Sequence, residues 1–396
     1  MRDTGFSGSN LKTASDHNLR VTLQAIRLKG PVARSELATL TGLTPQAIAY
    51  ISKKLLADGL IIETGRRTGG RGQPATEIAI NPEGGYSIGV NIDRDHLTVL
   101  LVDLAGNVCG REHIEKNFML PDETFDWIEA SFNKLLISNN LVRDSLVGVG
   151  LAIPYKLGYL RLAITPEPYQ LWRDYPSRRR LEEITGLPVI EENDATAASI
   201  GETQYGYGSR FKSFFYLFLG YGLGGGLVIN GNYVSGDSGH AGEIGFVPQF
   251  GRPSSGGQII NLQNNVSLAT LYAHLQKVGI DVSDPTGLGK LFDEQVKEVE
   301  DWLDGAADNI VQTLVTTICV VNPGAILIGG RLPDRMIDTL IEDLDTRIDA
   351  VRDSLPDAPP ILRAQCSTDA TALGAATVPL SRALFPQSDV LLKRAN

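Results

Sequence analysis

The chain has 396 residues and a formal charge of −10, too long for one ordinary core, so two or three domains are expected. Its 42% hydrophobic and 21% charged residues are those of a soluble globular protein. No uncharged apolar run reaches the roughly 18 residues that a membrane-spanning helix needs, the opening MRDTGFSGSN lacks the apolar stretch of a secretory leader, and Cys109, Cys319 and Cys366 are too scattered for a disulfide framework or a ligand pair. A cytoplasmic protein with no membrane partner is expected.

Charge is unevenly divided. Residues 1–80 hold 11 Lys+Arg against 6 Asp+Glu, and the remainder holds 25 against 40. A basic head on an acidic body points to a polyanion as partner of the head alone. Within the head, Leu19, Leu23 and Ile26 recur at helical spacing and Gly30 closes that helix. Ser35 is a cap candidate for a short second helix, Thr41-Gly42-Leu43 is a turn, and Thr44 followed by Pro45 is a helix start. Ile48, Ile51 and Leu55 share one face of the third helix, which Gly59 stops. Two short helices across a glycine turn predict a helix-turn-helix.

The opposite face of the third helix carries Gln46, Tyr50 and Lys53, with Lys54 beside them. Such a polar, positive face suits the DNA major groove, and Thr44 with the free N–H groups at the helix start suits a phosphate. The continuation LIIET, GRRTGGRGQ, PATEIAI reads as strand, loop and strand. This is a wing, in which Arg66, Arg67 and Arg71 would meet the DNA backbone or a narrow minor groove. The plainer reading is a small helical domain with an ordinary charged surface. The turn chemistry, the wing and the charge partition together favour operator DNA.

Beyond NPEGG the pattern changes. YSIGVNI and LTVLLVDLAG are a strand pair, DETFDWIEASFNKLLISNN a helix and LVGVGLAIP a buried strand. LPVIEEND is a strand followed by the helix ATAASIGETQYG. FFYLFLGYGLGGGLVING is a glycine hairpin, VQTLVTTICVVNP a helix, AILIGG a strand and TALGAATVPLSRAL a closing helix. The helix bearing Val311, Leu314, Val315 and Ile318 suits either core or interface. Strands alternate with helices twice over, which predicts an α/β body of two lobes with a ligand cleft between them.

ENDATAA (192–198), GYGLGGGLVINGNYVSGDSGHAGEIGF (220–246), GVGLAIP (148–154), NPGAILIGG (322–330) and the GRGQP wing-linker together resemble the ROK group of repressors, open reading frames and kinases. The resemblance spans nearly the whole chain. It implies an N-terminal winged helix-turn-helix (1–82) before an actin-like, sugar-kinase-type body. The first lobe would be 83–200, completed by about 370–396, and the second 201–369.

Departures from the family pattern shape the functional expectation. Where ROK kinases have the phosphate loop Asp-x-Gly-Gly-Thr, this chain has Asn91-Ile92-Asp93-Arg94-Asp95. The glycines that let backbone approach phosphate are gone, and two carboxylates replace them, each repelling a triphosphate by about 1–4 kcal/mol at moderate dielectric. Tyr221 stands where the second loop usually has a hydroxyl residue, so Gly220, Gly222, Gly224 and Gly226 read as hairpin structure. The zinc-binding His and Cys run is replaced by Glu243-Ile244-Gly245-Phe246 and a cysteine-free stretch.

The resemblance assigns Asp194 to the kinases' catalytic base and Asn193 and Glu243 to sugar hydroxyls, with Trp172 retained from the sugar loop. Tyr155 stands in place of a usual Gly. The alternative for Asn193 and Asp194 is a strand-to-helix junction with Asp194 as N-cap. The expectation is a DNA-binding regulator whose body senses a sugar or sugar derivative, without zinc or ATP and without catalysis, working as a homodimer or homotetramer. An active sugar kinase with a DNA-binding head is the competing reading, and a protein-docking platform a third.

Overall fold

A computed structural model describes residues 11–67, 75–159, 165–249 and 260–386. Three helices open the chain: α1 (Leu11–Lys29), α2 (Arg34–Thr41) after the two-residue strand β1 (Val32–Ala33), and α3 (Pro45–Ala57). They pack on a sheet in the order β1-β3-β2, whose hairpin is β2 (Ile61–Arg67) and β3 (Ala75–Ile80). Gly42 ends α2 with a positive φ of 71°, and the Thr44 hydroxyl caps α3 by accepting from the Ala47 N–H at 3.2 Å. The cap of α2 differs from the sequence expectation. Ser35 lies inside its first turn, and the Glu36 carboxylate reaches back to the Ala33 N–H, so a side chain of the third helical residue ties down the entry.

The body holds two five-stranded sheets of the same design. The first runs β6-β5-β4-β7-β8 and comprises β4 (Tyr86–Ile92), β5 (His96–Asp103), β6 (Val108–Glu115), β7 (Leu146–Ile153) and β8 (Val189–Asn193). The first three are antiparallel neighbours, and β7 and β8 join in parallel. Helices α4 (Pro121–Ser138) and α5 (Ser177–Thr185) belong to this half, while α6 (Asp194–Tyr205), which follows β8, packs Ala195 and Ala198 against the second sheet.

The second sheet runs β11-β10-β9-β14-β15. Its strands are β9 (Phe214–Leu219), β10 (Leu223–Ile229), β11 (Asn232–Tyr233), β14 (Ile326–Gly330) and β15 (Ile361–Arg363). The short pair β12 (Pro248–Gln249) and β13 (Ile260–Asn261) lies between, with α7 (Leu268–Lys277), α8 (Pro285–Asp293), α9 (Lys297–Val321) and α10 (Asp334–Asp349). Leu314 and Ile318 of α9 are fully buried in this half's core.

A final helix, α11 (Ala370–Leu384), returns to the first sheet. Small residues let it come close: a Cβ on Gly150 of β7 would lie 1.8 Å from the Ala375 carbonyl oxygen, and one on Gly374 would lie 1.7 Å from that of Ala197 in α6. Helices α6 and α11 are therefore in backbone contact. The head is tied to the same pair. Leu380 and Phe385 share a core with Leu23, Ile26 and Ile48, and Arg20 donates to the carbonyls of Arg382 and Phe385. Arg27 lies over the Phe385 ring at 4.8 Å and donates to Gln204 near the end of α6.

Candidate ligand site and nucleic-acid interface

Strand ends of both sheets point into one cleft, as parallel α/β architecture requires. Asp93 and Arg94 follow β4, Pro154 and Tyr155 follow β7, and Asn193 and Asp194 join β8 to α6. From the other side come Phe218 and Leu223 at the hairpin of β9 and β10, and Glu243, Phe246 and Gln263 from the connecting loops. All of these except Asp93 line a shallow cavity of about 390 Å³, a volume that includes the open solvent at its mouth.

The cavity has a polar side and an aromatic side. Asn193, not Asp194, caps α6: its side-chain oxygen accepts from the Ala195 and Thr196 N–H groups at 3.0 and 3.1 Å. That oxygen is occupied, which leaves the amide NH₂ for a ligand. Asp194 accepts one bond, from the Ala195 N–H at 2.8 Å. Burial first, and the Asp93 carboxylate second, push its carboxyl up to about 7, against the pull of the Ala195 N–H and Arg94. Burial also raises Glu243, partly offset by His240. On the aromatic side, Tyr155 lies 4.1 Å from the exposed His240 ring and 6.2 Å from Phe246 in an edge-on contact.

One residue assigned from the sequence behaves differently. Trp172 is a core residue of the first lobe, 3% exposed, with its indole N–H donated to the Met119 carbonyl at 2.9 Å and its ring among Phe125, Tyr169 and Tyr175. It does not line the cavity. The hairpin glycines have a packing reason: a Cβ on Gly224 would meet Ala195 at 2.9 Å and one on Gly226 would meet Ser199 at 2.6 Å. Arg94, Gln263 and Phe218 line the cavity without having been singled out as ligand contacts. Gln263 carried no sequence signal, since the residues before it match no motif.

Behind Asp194, residues 93–96, which stand where the family resemblance implies a phosphate loop, are buried. Asp93, Arg94, Asp95 and His96 are each at most 5% exposed. His96 bridges Asp95 (2.7 Å) and Asn91 (2.9 Å). Arg331, which follows β14 in the opposite lobe, crosses the cleft to Asp95 at 3.2 Å and to Glu115. Asp95 is buried, yet His96 and Arg331 hold its carboxyl down at about 2. Burial and Asp95 push Asp93 upward. Phe118 stands edge-on to both Tyr169 (5.3 Å) and Tyr221 (5.5 Å), next to this network. This flank of the cleft is thus packed with an ion network and aromatic rings.

The raised Asp194 carboxyl gives a direct check. The folded state holds its proton between about pH 4 and 7, so stability falls as pH rises through that window. Asp194→Asn is expected to raise the melting temperature at pH 8, by a stabilisation of about 1–2 kcal/mol after allowing for solvent at the cavity mouth. The difference from wild type should vanish near pH 4. Equal melting curves at pH 8 would show that burial does not perturb this group.

On the head, Gln46, Lys53 and Lys54 are exposed, and Tyr50 is 69% exposed, all on the face of α3 turned from the core residues Ile48, Ile51 and Leu55. Thr44 is exposed at the helix start. Arg66 and Arg67 end β2 at the hairpin, while Arg71 lies outside the described residues. No described helix is long and apolar enough to cross a membrane.

Comparison with known proteins agrees with this architecture. The ROK family model matches residues 87–381. The xylose repressor of Bacillus spizizenii is 26% identical over 229 residues, 58% of this chain and 59% of that protein. The glucokinase of Halalkalibacterium halodurans is 29% identical over 288 residues, covering 67% of this chain and 86% of the enzyme. A crystal structure of a ROK family transcriptional regulator, a homologue of the Escherichia coli Mlc protein, superposes with a TM-score of 0.71 at 20% identity, over 94% of this chain and 97% of that one. That likeness extends across the head as well as the body and shows a shared fold. The chain belongs to the ROK family.

Proposed function

We propose that this protein is a transcriptional repressor that binds operator DNA through α3 and the wing, and that its body binds a sugar or sugar derivative without phosphorylating it. One observation carries the second half. The cleft remains open where Asp194, Asn193 and Glu243 face it, while the adjoining flank is closed by Arg331, Asp95 and their neighbours. Phosphoryl transfer depends on positioning and neutralising a triphosphate, and the buried side chains of Asp93, Asp95, His96 and Arg331 leave this flank no room for one. The groups present do not fit a nucleotide. The cysteine set of the family's zinc site is not assembled either: Cys109, Cys319 and Cys366 lie on β6, α9 and the segment after β15. The repressors among its relatives support the same reading.

Operator gel shifts at rising concentrations of a monosaccharide panel test it. A sugar-dependent change in DNA affinity is expected. DNA binding indifferent to every sugar would remove the sensing half. A second reading, sugar kinase, has one observation in its favour: Asp194, with its carboxyl near 7, is tuned like a general base. Turnover in a coupled ADP assay, lost on Asp194→Ala, would establish it.

The fold supplies a route from ligand to DNA. Helix α6 carries Asp194 at its start and Gln204 near its end, where Arg27 of the head docks. A ligand that shifts α6 moves the head's anchor directly. A two-fold assembly, dimer or tetramer, would match two half-sites. Gln204→Ala is expected to leave sugar affinity unchanged but to shrink the sugar-induced change in operator affinity, which typically falls in the range of about 5–150-fold for coupled sites. An undiminished response would place the coupling elsewhere.

A further inference from the structure

We infer that the ligand carries an acid group, a carboxylate or a phosphate, and that Arg94 binds it. This rests on the sugar-sensing reading above and narrows the ligand class.

Arg94 is 3% exposed and lines the cavity. Its Nε has no hydrogen-bond partner. Among the described residues the only carboxylate within ion-pairing distance is Asp93, whose Oδ1 lies 3.5 Å from Nη1. That same oxygen already accepts the Arg94 backbone N–H at 2.7 Å. A guanidinium is a planar fork built for two parallel bonds to one oxyanion, and here it is taken out of water without them. Buried charged donors left in that state are costly. Arg331, the other buried arginine at this cleft, shows the contrast: it reaches two carboxylates, Asp95 and Glu115. The missing acceptors of Arg94 therefore belong to whatever enters the cavity.

Three carboxylates also stand near this arginine: Asp93, Asp194 and Glu243. Burial raises all three, and Asp194 reaches about 7. Around neutral pH Asp194 can hold a proton and donate it in a hydrogen bond to an oxyanion beside Arg94. The other titratable groups facing this corner are Asp95, already bonded to His96 and ion-paired with Arg331, and His240 at the mouth beside Tyr155. A neutral sugar would satisfy Asn193 and Glu243 through its hydroxyls but would leave the fork with weak acceptors.

Calorimetric titration of the full-length protein with matched ligands tests this: glucose, gluconate, glucuronate and glucose 6-phosphate, with galactose and galacturonate as a second series. One acid is expected to bind roughly tenfold to hundredfold tighter than its neutral parent, the effect of one charge-assisted pair in a dry site. The carboxylate and phosphate arms identify which acid is read. The preference should grow as pH falls from about 8 to 6, as Asp194 takes up its proton. In Arg94→Gln the acid-to-neutral ratio should collapse toward one, and Arg94→Lys should keep part of it. Should Arg94→Gln fail to fold, the wild-type ratio and its pH trend still decide. Neutral sugars binding as tightly as their acids would overturn the inference while leaving sugar sensing intact. No binding by either kind would overturn both.

Discussion

Arg331→Ala is expected to destabilise the body by about 3–5 kcal/mol, the cost of stranding a buried charge. The side chain of Asp95 is fully buried and that of Arg331 is 4% exposed, so neither can exchange its partner for water. His96 would remain beside Asp95, but Glu115 and the opposite lobe would lose their link. The pair connects residues 236 positions apart across the cleft, so the loss should also loosen the lobes. Urea denaturation followed by tryptophan fluorescence reads the first effect, and small-angle scattering reads the second. A paired Arg331→Met/Asp95→Asn variant should recover much of the stability, since replacing both charges is far milder than removing one. Neither variant should gain ATP affinity, because the buried side chains of residues 93–96 still fill that flank. A midpoint unmoved by Arg331→Ala would show that the strut contributes nothing.

The second large effect is expected on the head. Replacing Lys53 and Lys54 together with Gln should weaken operator binding on the order of 10–100-fold near 0.1 M salt and reduce the log–log salt slope by about 2, one counterion released per lost phosphate contact. Gln46→Ala should instead cost about 1–3 kcal/mol at one base position and relax specificity there. The two signatures separate backbone contact from base reading. Both side chains are exposed and outside the head's core of Ile48, Ile51 and Leu55, so folding should be intact. Fluorescence anisotropy across a salt series is the measurement. A double variant with unchanged slope would take α3 off the DNA.

What could be read from the sequence was mostly local. Thr44-Pro45 and Gly42 announce the start of α3 and the end of α2 because capping chemistry is a short-range matter. The glycine hairpin and the strand–helix alternation gave the second sheet in the same way. β6, with VCGREHIE, was not evident: it is half exposed and carries no apolar alternation. The regular apolar spacing of Met336, Ile337, Leu340 and Leu344 marks the buried face of α10.

The site was legible only in part, because its decisive contacts are non-local. Nothing near Arg331 in the sequence indicates that it will meet Asp95 and Glu115. Trp172 sits at a ligand-loop position by motif, yet the direction of its indole was fixed by the carbonyl of Met119, 53 residues away. Asn193 and Asp194 were paired correctly as a strand-to-helix junction, but which of them caps the helix depends on side-chain geometry. Arg94 was visible as a charge within a degenerate loop, whereas its unpaired Nε was not.

The central claim is that the cleft receives a sugar-type ligand and no phosphoryl donor. Calorimetry of the full-length protein with magnesium ATP, in the presence and absence of its sugar ligand, tests this most directly when coupled to an ADP-release assay on the same sample. The account predicts no heat of ATP binding and no ADP above the no-enzyme blank, at a sugar concentration that alters operator binding. Saturable ATP binding with sugar-dependent ADP release would contradict it.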